Sequence, residues 1–148
     1  MKADNLFTAS ASMSNPDITH TLHPTSSLLF RYSALTFNAH AIHLDPHYCR
    51  TVEGHRDLLF HGPLSFTLLT IMMQHHVNET MPGHEIAQID YRNIAPLYAN
   101  EPLKLCARKM SGDGEGEAKN QKFMIWAETP EGRVAVKGTA RVAKTGHK

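Results

Sequence analysis

From Pro63 to His76 the chain reads PLSFTLLTIMMQHH, with apolar residues at 64, 66, 68, 69, 71, 72 and 73. On a 3.6-residue period these positions cover most of a helix circumference. The pattern therefore predicts a helix wrapped by other structure rather than one lying on a surface. After the breaker Met81-Pro82-Gly83 the character changes to extended segments at Glu85 to Ile94, Pro102 to Met110, Gln121 to Glu128 and Arg133 to Val142. Thr129-Pro130-Glu131-Gly132 is a compact turn signal that predicts a hairpin between the last two. The run SGDGEGEAKN, residues 111–120, is too polar and glycine-rich to be anything but an exposed connection.

Upstream, Leu28 to Phe37 carries Phe30, Tyr32 and Leu35 between turn-prone residues and reads as a short strand or sheet edge. Asp45-Pro46 reads as a helix N-cap followed by proline at the first helical position, opening a short helix toward Cys49. Val52 to Asp57 reads as a loop. One buried helix followed by four strands points to an α+β domain, a sheet curled round a helix. The domain is expected over residues 28–143, with 1–27 as a flexible leader and 144–148 as a tail. The leader contains no Arg and two acids, Asp4 and Asp17, unlike a transit peptide, and has no apolar centre of the secretory kind.

Composition narrows the classes. At 148 residues, 41% hydrophobic and 20% charged, the chain has the make-up of one globular domain. Lys plus Arg number 15 against 14 Asp plus Glu, so no strong field draws it to nucleic acid or an anionic membrane, and neither is expected as a partner. Cys49 and Cys106 have no C-x-x-C spacing and lean toward a reducing compartment, the cytoplasm or alternatively the mitochondrion.

The candidate chemistry lies between Leu29 and Leu68. Asn38 and His43 are five residues apart and share a face of neither an ideal strand nor an ideal helix, so they converge only if the chain turns between them. Histidine suits proton transfer near neutral pH, and the Asn38 amide can hold a water or hydroxyl in line with it. Gly62 precedes Pro63 at a helix start, which leaves its N–H as an unclaimed donor at the positive end of the helix dipole, suited to a developing enolate oxygen. His40 and His43 have H-x-x-H spacing, but no acid or thiol completes a metal site, and none is expected. His61 reads as a packing or supporting residue. Arg31, Arg56 and Arg92 are candidates to meet phosphate groups.

The segments RYSALTFNAHAIH, VEG, HGPL and RNIAPLY resemble the MaoC-like, hydratase 2 group of the hotdog superfamily, whose motif is G-D-x-N-P-[LIV]-H followed by H-G at the start of the hotdog helix. Within it they are most similar to the type 2 hydroxyacyl-thioester dehydratase and mesaconyl-CoA hydratase branch. The resemblance covers most of Leu28 to Val142. It implies a single hotdog fold and a hydro-lyase that reversibly adds water to an enoyl thioester, R-specific, with no cofactor beyond the CoA or phosphopantetheine that carries the substrate. Carried over by position, the family's catalytic aspartate falls on Asn38, its histidine on His43 and its helix-start glycine on Gly62. The motif's asparagine becomes His40 and its proline Ala41. With Asn38 in place of an acid, His43 is expected to carry most of the proton transfer. His40, His61, Arg31, Arg56 and Arg92 are the expected substrate-binding residues. Enzymes of this branch commonly carry two hotdog modules, the second catalytic, and this chain resembles the second alone, which implies a homodimer. The alternatives are a non-catalytic thioester-binding or partner subunit and, on the same fold, a thioesterase.

Overall fold

A computed structural model describes residues 13, 15–111 and 120–146. The chain runs β1 (Ile18–Leu22), α1 (Ser26–Thr36), a 3-10 turn (Ala41–His43), α2 (Pro46–Tyr48), a π-helical turn (Cys49–Glu53), α3 (Gly62–Thr80), β2 (His84–Asn93), β3 (Leu103–Lys109), β4 (Asn120–Glu128) and β5 (Val134–Lys144). The five strands form one antiparallel sheet in the order β1-β3-β4-β5-β2, curled round α3. This is the expected α+β hotdog architecture.

The four expected strands and the buried helix are present within a few residues of their expected limits. Along α3, Leu64, Leu69, Met72, Met73 and Val77 are buried, a stripe at spacings of three to five residues. They meet Leu103, Leu105 and Ala107 of β3 and Phe123, Ile125 and Ala127 of β4, residues that alternate along each strand so that one face of the sheet is apolar. Fully burying each large aliphatic side chain contributes about 1.5–3 kcal/mol. A smaller cluster of Cys106, Trp126 and Val134 lies on the other face. There the Trp126 indole N–H donates to Glu128 at 2.7 Å. The turn over 129–132 closes the β4–β5 hairpin, with Gly132 N–H donating to the Thr129 carbonyl.

Two expectations are corrected. Leu28 to Phe37 is helical and not a strand. Thr25 caps α1, its hydroxyl accepting from Leu28 N–H at 3.3 Å. Leu29 and Ser33, four residues apart, are the buried positions, and the aromatic Phe30 that suggested a strand points to solvent. Residues 18–22, placed in the leader, form β1: it pairs with β3 from Ile18↔Ala107 to Leu22↔Leu103, and Ile18 and Leu22 pack on the main core. Ser26 and Ser27 of the expected leader already belong to α1, while its residues 1–12 and 14 lie outside the described residues, as do 112–119 of the polar connection and 147–148 of the expected tail.

The segment expected to be a loop from Val52 begins inside the π-helical turn and leaves it at Gly54, which has φ 74°. Residues 58–60 then run beside 97–99: Phe60 N–H donates to the Leu97 carbonyl and Ala99 N–H to the Leu58 carbonyl. That pairing carries the end of RNIAPLY to the N-terminus of α3.

Candidate active site

Asn38 and His40 spend their side chains on shaping a turn. Asn38 Oδ1 accepts from His40 N–H at 3.1 Å, and His40 Nδ1 accepts from Ile42 N–H at 3.2 Å. Both satisfy donors that a short 3-10 turn leaves unpaired. The reversal required between Asn38 and His43 is thus present, and it turns His43 inward to 8% exposure. The segment is tied down from behind. Leu59 N–H donates to the Ile42 carbonyl, and the buried Cys49 thiol donates to the same carbonyl at 3.1 Å. Burial raises the pKa of that thiol.

His43 Nδ1 lies 2.7 Å from the Leu59 carbonyl oxygen. A carbonyl only accepts, so Nδ1 carries the proton and the lone pair of the neutral ring sits on Nε2. Burial lowers the His43 pKa; the hydrogen bond to Leu59 opposes this and neighbouring His40 adds to it. Near neutral pH the ring is therefore an unprotonated base.

His43 and Gly62 line the same cavity, about 490 Å³ in volume. Its walls are otherwise mostly apolar, with Leu59, Phe60, Ile94, Leu97 and Val136. Gly62 is the first residue of α3, and its N–H has no acceptor among the described residues. A Cβ added at Gly62 would lie 2.5 Å from Asn93 Nδ2, so glycine keeps the backbone open at this point.

Directly behind His43, the fully buried His61 stacks on it at 3.7 Å between ring centroids and 18° between planes. His61 Nε2 shares a 2.8 Å hydrogen bond with Ser33 Oγ from α1, and the ring meets Tyr32 edge-on at 4.9 Å. Its Nδ1 has no partner among the described residues. Burial, reinforced by His43, lowers the His61 pKa to about 4. Ser33, His43, His61 and Ser65 account for four of the five buried polar or charged residues described, the fifth being Glu128. His43 and Ser65 line the cavity and the bonded Ser33–His61 pair lies behind His43, a grouping of buried polar side chains uncommon in a plain core.

Protonation of His61 sets a pH dependence of stability. The unfolded chain binds a proton at this ring below about 6.5, whereas the folded protein holds it neutral down to about 4. Stability from this group is complete above about pH 6.5 and declines as pH falls to 4, by up to ~3 kcal/mol. His61→Phe, which does not titrate, should show a flatter fall across that window in urea unfolding at a series of pH values. Parallel curves for the two proteins would remove His61 as the cause.

The cavity brings together His43 and Gly62 and sets His61 behind them, but the other expected residues stand apart from its lining. Asn38 borders a separate surface hollow with Phe30, Phe37 and Leu44. His40 is exposed, with its ring 6.3 Å from that of His43. Arg31 is exposed on α1, and Arg92 lies in an open hollow of the sheet with Lys137 and Thr139. Arg56, expected near phosphates, is held elsewhere: it makes a two-fold contact with Glu101 at 2.6 Å and lies 4.1 Å over the Tyr98 ring. Sequence reasoning missed three polar residues of the cavity wall, His55, Ser65 and Asn93. Asn93 belongs to the RNIAPLY motif and His55 follows VEG directly, so both motifs carried the signal. His55 Nδ1 is 3.2 Å from the Tyr98 hydroxyl. Among the described residues no cluster of His, Cys, Asp or Glu is arranged to hold a metal ion.

The sequence profile of the family described as hydroxyacyl-thioester dehydratase type 2 matches residues 2–99, beginning upstream of the point where the resemblance was read to start. A mesaconyl-C(4)-CoA hydratase of Chloroflexus aurantiacus is 38% identical over 125 residues, 84% of this chain and 40% of that protein. A mitochondrial hydroxyacyl-thioester dehydratase type 2 of Schizosaccharomyces pombe is 34% identical over 97 residues, 64% of this chain and 31% of its own length. The chain thus spans less than half the length of these relatives. Among solved structures, an (R)-hydratase from A. caviae involved in PHA biosynthesis superposes with a TM-score of 0.70 at 17% identity, covering 91% of this chain and 98% of that one. That likeness is one of fold.

Proposed function

This chain belongs to the hydroxyacyl-thioester dehydratase type 2 family, and from that premise we propose that it is a hydro-lyase interconverting enoyl and 3-hydroxyacyl thioesters. The observation that carries the reading is one apolar cavity holding both a lone-pair imidazole nitrogen, on His43, and an open backbone donor, on Gly62. Abstraction of an α-proton from a thioester needs that pair: a base near neutral pH and a fixed donor where enolate charge develops.

In the dehydration direction His43 Nε2 takes the proton from C2 while Gly62 N–H donates to the thioester oxygen. The enolate then collapses to the enoyl double bond, the C3–O bond breaks, and the proton on His43 passes to the departing hydroxyl to give water. Asn38 lies outside this cavity with its Oδ1 taken by His40 N–H, so within one chain the departing hydroxyl meets His43 alone. R stereochemistry is proposed from the likeness of fold to the (R)-hydratase. The acyl group is carried as a CoA or phosphopantetheine thioester, with no other cofactor called on.

The partner is a second copy of the chain. Phe30, Leu35, Phe37 and Leu44 stand 63%, 80%, 96% and 37% exposed around Asn38, and the edge strand β2 leaves Tyr91 and Arg92 open. An apolar patch of this kind beside a site marks a surface to be covered. The Asn38 hollow would then close against a neighbouring protomer and join the His43 cavity.

A panel of enoyl-CoA and 3-hydroxyacyl-CoA substrates, followed by loss or gain of enoyl absorbance, with sedimentation to find the mass, tests the reading. Turnover of at least one acyl group to the R product by a dimer is expected. Binding of the panel by calorimetry without turnover would instead favour a thioester-binding partner subunit, the reading to which an amide in the acid's place also lends itself.

A further inference from the structure

The proposed chemistry accounts for His43 and Gly62 but leaves the most deeply buried polar side chain of the site unused. His61 is fully buried, yet it makes only one hydrogen bond and leaves Nδ1 unpartnered among the described residues. The unpaired Nδ1 costs about 1–3 kcal/mol; what the imidazole adds over a plain apolar ring is the Ser33 hydrogen bond, which sets the rotation of the ring. Its surroundings fix it in one pose: Ser33 holds Nε2 and Tyr32 packs edge-on. The face that remains carries His43, parallel to within 18°.

We propose that His61 is a positioning residue for His43: clamped by Ser33 and Tyr32, its ring is the plate against which the His43 imidazole lies, keeping water from that face and aiming Nε2 into the cavity. Two contacts then determine the base. The Leu59 carbonyl fixes which nitrogen carries the proton, and the His61 ring fixes the plane in which the other nitrogen points. The plate works because it stays uncharged. When His43 takes up the substrate proton, a neutral aromatic face lies against the new cation, which is attractive, whereas a protonated His61 would repel it. The other titratable groups toward His43 are His40, with its ring at 6.3 Å on the same turn, and His55 in the lining of the same cavity; Tyr32 of α1 meets the His61 ring.

This inference rests on the reading of His43 as the base, and its test uses a readout that needs no substrate: the proton NMR titration of the His43 ring in native protein, His61→Ala and His61→Phe. Loss of the plate in His61→Ala admits water, so the His43 midpoint should move up toward that of free imidazole. His61→Phe restores the aromatic face and should bring the midpoint back. With a substrate in hand, kcat should fall about tenfold to a hundredfold in His61→Ala, as expected for a slightly misaimed group. KM should hold within about twofold in that variant, and His61→Phe should recover most of the loss. An unmoved His43 midpoint in His61→Ala overturns the proposal, and so does a shift that His61→Phe fails to reverse, because the ring face would not be the agent. If His61→Ala does not fold, Ser33→Ala makes the same test by releasing Nε2 while leaving the ring, with a smaller upward shift expected and no shift counting against the proposal. Shifts seen without turnover of any thioester would leave the positioning intact and sink the hydro-lyase reading alone.

Discussion

Replacing His43 with alanine should lower kcat/KM for hydration of a productive enoyl thioester by roughly a thousandfold, within the range of about 10² to 10⁴ that a positioned acid or base supplies. Neither His61 nor His40 is placed to take over. His61 is neutral, walled in behind the ring and lacks an open path to the cavity, and His40 is exposed on the outer side of the turn. His55 lines the same cavity with its Nδ1 bonded to the Tyr98 hydroxyl, so His55→Ala is assayed beside His43→Ala to measure any share it takes. The native pH profile should show an acid limb, because the base must be unprotonated. Burial lowers the His43 pKa, so activity should persist below the usual imidazole range before it fails. Steady-state assays over a pH series, beside circular dichroism to confirm folding, read both effects. Retention of more than about a tenth of native activity in a folded His43→Ala protein would be inconsistent with a positioned base.

Gly62→Ala should cost about a hundredfold to a thousandfold in kcat, the loss that accompanies removal of one fixed oxyanion donor. The backbone at Gly62 is ordinary helix, so alanine is conformationally acceptable and the protein should fold. What changes is access. The new methyl would meet Asn93 Nδ2 at 2.5 Å and push that side chain out of place at the mouth of the donor. Asn93→Ala alone and combined with Gly62→Ala separates the two parts of the loss. If crowding against Asn93 is the whole effect, the double variant recovers; the expected result is that most of the defect remains, because the methyl itself shields the N–H. Substrate KM should change far less than kcat, since the donor is matched to the charged enolate oxygen and only weakly to the neutral thioester.

Much of this architecture was legible in the chain, and the unreadable parts share a physical cause. The α3 pattern and the four alternating strands are local signals, each repeated over enough residues to outweigh noise. β1 has only Ile18 and Leu22 as apolar residues, and it is a strand because β3 offers a register for it, a fact written in residues some eighty positions away. In α1, aromatic residues suggested a strand, while the deciding feature was the Thr25 cap with the Leu29 and Ser33 spacing. At the site, His43 and Gly62 were legible because each depends on its own turn or helix end. Ser33, His55 and Asn93 were missed because they come from three other segments: His55 and Asn93 line the cavity, and Ser33 bonds His61 behind His43. Arg56 shows the reverse error: a cation that looked free finds its counter-charge forty-five residues on, at Glu101.

The thiol of Cys49 gives the site a consequence of its own. It is buried, bonded to the carbonyl of Ile42, and attached to the segment that presents His43. A reagent in solution can reach that sulfur only during excursions in which this segment lifts away and the turn that presents His43 loses its backing. Each alkylated molecule would therefore be a record of one such opening, so the protein carries within its own chain a clock for how long the arrangement around His43 survives between interruptions.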